Sequence, residues 1–288
     1  MKKKPLIALA LASIAMAATT LAHALEINVT NNPHVLAAAL LGNNSDIRIV
    51  PGSVKFIGTA RQSATYTGFN LVPLPDRHPS YVLVSPTKSQ TIINPDGILL
   101  TTGSAKVNYF NTIVNYSAIP RPRTGSNALL EKLIGQKTYD QNVLTFQFTT
   151  ASPSIDSVSA DFVFASEEYP VFTGGYPLYS SHIYDVFGFF VDGLNYAFYP
   201  DGTLVSASRR NSFIDNSSNA RRGNSYHIEY NGLNVSQHVI GKLDPTLSVH
   251  TLTVVIADTY DDDWDSGVFI GNLQGISGGG DGGINDGN

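Results

Sequence analysis

No cysteine occurs in the 288 residues. That excludes a disulfide framework, a thiolate-held zinc or iron–sulfur centre and a thiol nucleophile together. Charge is sparse, at 14% of residues, and acids outnumber bases 23 to 18, so nucleic acid is not an expected partner. The zinc-protease pattern His-Glu-x-x-His and the hydrolase elbow Gly-x-Ser-x-Gly are both missing. Past residue 24 no apolar run is long enough to span a bilayer, and transmembrane anchoring is not expected. No fixed-period repeat and no Pro- or Ser-rich linker divides the chain.

The chain is rich in what strands and turns use. It has 14 Tyr, 14 Phe, 25 Gly and 15 Pro, and 42% of residues are hydrophobic, enough for a core. Residues 1–24 read as a secretory leader. Lys2, Lys3 and Lys4 open it, an apolar run follows from Pro5 to Leu21, and Ala22-His23-Ala24 makes a small-x-small cleavage site. Removing the three lysines takes the net charge from −5 to −8. A secreted, extracellular protein exported through Sec is expected, with the periplasm as the other destination.

The remainder predicts an all-β fold, an antiparallel β-sandwich or jelly-roll-like architecture with one or two short helices. Asn32 and Pro33 open a helix through residue 41 that Gly42 stops, and residues 127–134 form a second one closed by Gly135. Strands are expected at 25–32 and on either side of Pro51-Gly52. Others fall at 81–84, 91–93 and 97–103. Leu144, Phe146 and Phe148 alternate with polar residues, as do Val158, Ala160, Phe162 and Phe164 with theirs, which is the period of a strand. Residues 185–191 are more continuously apolar and are expected at a sheet centre. Asp192-Gly193 then turns the chain into a hairpin, and 247–257 and 267–270 supply the last strands. One domain over 25–276 is expected, followed by a loose Gly/Asp-rich tail, 277–288; the alternative is two lobes meeting near 117–127.

The densest charge runs from Asp258 to Asp265. Five aspartates fall within eight residues, and no Lys or Arg lies within fifteen residues on either side. At about 5 Å and an effective dielectric near 20, each like-charge pair costs roughly 3 kcal/mol before screening. A hard cation removes that repulsion. Calcium takes six to eight oxygens and suits a loop between strands, whereas the EF-hand pattern is absent. Alternation along the loop names Asp258, Asp261, Asp263 and Asp265 as Ca2+ ligands. Glu168, at the end of one apolar strand beside Glu167, and Asp185, at the start of another, are distant in sequence but can meet them at one end of a sandwich. The alternatives are a solvated acidic turn, or a carbohydrate-active hydrolase pairing Glu168 with an acidic-loop aspartate. Arg209-Arg210 and Arg221-Arg222 either hold an acidic glycan or lipopolysaccharide or, as the favoured reading, sit in an exposed hairpin loop and pair with the acidic surface; Tyr176, Tyr179 and Tyr184 either stack on sugar rings or pack their loop on its own sheet.

Three blocks carry a resemblance: DFVFASEEY at 161–169, YDVFGFF at 184–190 and IADTYDDDWDSGVFI at 256–270. With VLAAALLG at 35–42, the strand region 47–58 and GILLTTG at 97–103, they resemble the choice-of-anchor L domain family across nearly the whole mature chain. The resemblance implies an exported bacterial protein joined to the cell surface. The residues ending at 278–288 hold no apolar stretch or sorting motif, so covalent anchoring is not expected either. The combined expectation is a calcium-stabilised binding protein without enzymatic activity, serving adhesion, the surface or the matrix. Its expected partner is a glycan or a cell-surface or matrix component.

Overall fold

The computed structural model describes residues 25–43, 45–74, 90–107, 123–170, 184–199, 201–208, 212–217, 226–259 and 264–285. In chain order the first elements are β1 (Glu26–Val29), helix α1 (Pro33–Leu40), β2 (Ile47–Ile49), β3 (Lys55–Ile57), β4 (Ser63–Thr67), β5 (Asn70–Leu71), β6 (Ile92–Ile93), β7 (Asp96–Thr101) and helix α2 (Ala128–Ile134). Then come β8 (Thr138–Thr150), β9 (Ser157–Ser166), β10 (Val186–Val191), β11 (Leu194–Asn195), β12 (Phe213–Asp215) and β13 (Gly232–Asn234). The last are β14 (Gln237–Lys242), β15 (His250–Thr259), β16 (Ser266–Ile276) and β17 (Gly283–Asn285).

Two antiparallel sheets make a sandwich. The larger follows the order β1-β4-β7-β16-β9-β13-β12, with β14 also paired to β9 and β17 to β14. The smaller follows β11-β10-β15-β8-β2, with β3 also on β8. Strands from before and after residues 117–127 pair with each other in both sheets, β7 with β16 in the larger and β2 and β3 with β8 in the smaller. The alternating residues face as their period requires. Leu144, Phe146 and Phe148 meet Val158, Phe162 and Phe164 in the core between the sheets.

Two further apolar clusters decide what is left exposed. The outer face of the large sheet is covered, burying Ala64, Tyr66, Leu99, Val163, Ala165 and Phe269. Among the described residues the outer face of the small sheet is covered only in part, where Leu130 of α2 packs on Val143, Val186, Phe190 and Val255. That cover explains why β10 is buried on both faces although it lies next to the edge strand β11 rather than at the sheet centre.

Local signals act as expected at several joints. The Asn32 side chain accepts from His34 and Val35 N–H, and Asn127 caps α2 on Leu129 and Leu130 N–H. Gly135 closes α2 at φ 74°, and Asp192 and Gly193 turn the β10–β11 hairpin at φ 50° and 82°. Gly42 differs. Leu41 ends α1 in an extended conformation, and Gly42 is demanded instead by closeness to Asn272, whose carboxamide a Cβ would strike. The tail differs too. Ile284 is buried, and residues 283–285 pair with β14 instead of staying loose. The strand expected at 81–84 lies outside the described residues.

Candidate functional site

Strand registers bring acids together from separate parts of the chain. Val186 pairs with Ala257, which sets Asp185 beside Asp258 at one end of the small sheet. Ser266 pairs with Ser166 and Gly267 with Thr101, which sets Asp265 beside Glu167 and the turn after β7. The sheets therefore meet at this end through Thr102, Gly103, Glu167, Glu168, Asp185, Asp258 and Asp265.

The contacts are specific. The Asp185 and Asp258 carboxyl groups are hydrogen-bonded to each other. Thr102 Oγ1 lies 3.5 Å from Asp185 Oδ2 and accepts the Ser266 N–H at 2.9 Å. Glu168 Oε2 accepts the Asp185 backbone N–H at 3.1 Å, so Glu168 orients the strand start that carries Asp185. The Glu167 backbone ties into the same end: its N–H donates to Asp265 O and its carbonyl accepts from the Asn231 side chain, both at 3.1 Å. Asp265 Oδ2 lies 3.4 Å from Ser104 N, and a Cβ on Gly103 would overlap that carboxylate, so only glycine leaves room for it.

None of these acids is solvated. Asp185 is 1% exposed, Asp258 3%, Asp265 5% and Glu168 1%, where a solvated acidic turn would leave them open. Burial, with Asp185 and Asp265 adding their charge, holds the Asp258 carboxyl well above its ordinary pKa. Its Oδ1 is buried without a hydrogen-bond partner among the described residues. Two carboxyl groups this close share a proton or a cation; both cannot ionise unaided.

Of the six acids expected as ligands, Asp185, Asp258, Asp265 and Glu168 are brought to this end, and Asp261 and Asp263 lie outside the described residues. Among the described residues no group of three or more His, Asp or Glu side chains forms a metal-holding set. Sequence reasoning missed Thr102 and Gly103, whose signal was the Thr-Thr-Gly closing an apolar strand. It also missed Asp140, which is 2% exposed in the left-handed region at φ 44° and whose carbonyl shares Gln62 Nε2 with that of Thr102. Of the other expected contacts, Tyr184 is tied to Thr259 through its backbone and packs on the core. Tyr176, Tyr179, Arg209, Arg210, Arg221 and Arg222 lie outside the described residues.

The family model of the Choice-of-anchor L domain matches residues 76–273, a span that holds every acid of the cluster. No curated protein and no solved structure matches the chain.

Proposed function

This chain belongs to the Choice-of-anchor L domain family, and on that premise we propose a surface binding module whose sandwich is locked at one end by a divalent cation. Membership makes it a surface-associated bacterial protein. The finer reading is that it is exported, binds a glycan or a surface or matrix component, and catalyses nothing. One observation carries the cation: two buried carboxyl groups face each other, with Asp258 Oδ1 left without a hydrogen-bond partner among the described residues. Asp185 and Asp258 are the proposed starting pair, completed by Asp261, Asp263 and Asp265 on the strength of their spacing, with Glu168 as the group that positions Asp185. Calcium fits better than magnesium, because a mixed set of carboxylates from several strands suits a large, irregular oxygen shell. Against the hydrolase reading stands Glu168 itself, which is buried and whose Oε2 accepts a backbone N–H.

Thermal unfolding tests this. A cation bound only to the folded state adds about 2.7 kcal/mol at a hundredfold excess over its Kd. In a chain of this size that raises Tm by roughly 5–10 °C. The expected result is a lower Tm in EDTA, recovery with calcium, less with magnesium, and no calcium response in Asp265→Asn. Identical melting curves in every condition would remove the cation from the proposal.

A further inference from the structure

The part of the small sheet that α2 leaves uncovered holds a groove of about 330 Å3, walled by Gly52, Ser53, Lys55, Thr145, Gln147 and Thr251. Its size falls at the lower end of ligand pockets, roughly 300–1,000 Å3, enough for a sugar ring and its substituents. The register explains the lining. Lys55 pairs with Thr145 and Thr145 with Thr253, so their side chains form one row across β3, β8 and β15; Gln147 and Thr251 form the next. Arg48 stands opposite Thr149 on the same face, about 13 Å from Lys55 by the rise of β8.

The chemistry of this face is lopsided. Lys55 and Arg48 make no ion pair among the described residues, in a chain whose acids outnumber its bases. Asp192, the carboxylate that bonds to the Thr251 backbone, is spent: it accepts from Thr251 N–H at 2.8 Å, Asp244 N–H at 3.1 Å and His250 at 2.8 Å. Thr145 Oγ1 is engaged with Leu252 O and Thr253, but among the described residues no hydrogen bond holds the Gln147 side chain or the Thr251 hydroxyl. Phe146 is 1% exposed, so it gives the groove no aromatic platform for the face of a neutral sugar.

The geometry points to a binding groove for a linear acidic glycan, with the carboxylate of one sugar on Lys55, that of a later sugar reaching Arg48, and sugar hydroxyls on Gln147 and Thr251. This rests on the reading of the chain as a surface binding module and is independent of the cation at the sandwich end.

Calorimetric titration in EDTA with tetragalacturonate, beside neutral maltotetraose, tests it. Wild-type protein is expected to bind the acidic oligomer and not the neutral one. Lys55→Glu should weaken binding by about tenfold or more without moving Tm, the loss expected of a charge-assisted contact. Gln147→Ala should weaken it less, and Lys106→Glu, elsewhere on the surface, should leave it unchanged. Absent wild-type binding, equal binding by Lys55→Glu, or an equal loss in Lys106→Glu would overturn the groove. An immobilised panel of neutral and acidic glycans and matrix extract separates the two readings. Capture insensitive to Lys55→Glu overturns the groove alone, whereas no capture at all overturns the binding module as well.

Discussion

In EDTA at pH 7.5, the Asp258→Asn protein should melt at a higher temperature than the wild type and should have lost its response to calcium. The substitution keeps the shape of the side chain and its bond to Asp185 but removes a charge that burial and two neighbouring aspartates oppose. The sign follows from linkage. A carboxyl group whose folded pKa lies above its unfolded value, near 3.9, holds more protons folded than unfolded between the two. Stability therefore falls as pH climbs through that interval and returns on acidification. The wild type in EDTA should gain stability between pH 7.5 and pH 5, and its difference from Asp258→Asn should shrink over the same range. Asp156, Asp161 and Asp244 are shifted the other way, by hydrogen bonds that favour their ionised forms. Their contribution is present above their unfolded pKa and is lost only as pH falls below about 4, so they are silent in this window. With calcium saturating, the pH dependence should reverse, because protons then compete with the metal. Melting curves at four pH values, with and without calcium, decide it. A wild type more stable than Asp258→Asn in EDTA at pH 7.5 would show that the carboxylate is no burden.

Phe162→Ala should cost about 3–5 kcal/mol, the range for a large aromatic deleted from a tight core. Phe162 is fully buried on β9, pairs across the ladder with Ile270 and sets its ring centroid 5.1 Å from that of Phe187 on the opposite sheet. Both sheets lose contacts at once, and a rigid pair of sheets cannot close on the void. A fall in Tm of roughly 10 °C is expected, at 2–4 °C per kcal/mol for a chain of this length. Phe162→Leu, which refills most of the volume, should cost less than half as much. Calorimetry on the three proteins is the check, and equal costs for Ala and Leu would show that the site is not tightly packed.

What was readable in the sequence, and what was not, divides along a physical line. Asn127, Gly135 and Asp192-Gly193 act through their own backbone and their neighbours, so residue type alone announces them. The strands Thr138–Thr150 and Ser157–Ser166 announce themselves by alternation. Ser63–Thr67 does not, because Ser63 and Thr65 look like a loop and only the second apolar cluster, burying Ala64 and Tyr66, makes it a strand. Gln237–Lys242 was hidden for a similar reason. Its His238 is fixed by a 2.7 Å contact with Asp161, seventy-seven residues away. The acids of the site were visible as charges at the ends of apolar runs. That Asp185 faces Asp258, that Glu168 serves a backbone N–H, and that Thr102 and Gly103 complete the pocket depends on register between strands far apart in the chain. Residue spacing contains no register.

The place of β16 in the large sheet bears on the order of events when the chain folds. Ser266–Ile276 lies between β7 and β9, pairing Phe269 with Leu99 on one side and Val163 on the other. The two parts of the large sheet therefore wait for it. Until residue 276 is free to pair, β7 and β9 are bare edges with apolar side chains on both faces, and the sheet exists only as two fragments that cannot join. Contacts of such long sequence separation close slowly, because the entropy of the intervening loop is lost before any pairing rewards it. A chain made or delivered from its N-terminus thus stays loose until nearly all of it has arrived, a condition compatible with passage through a narrow channel and hazardous where many copies meet.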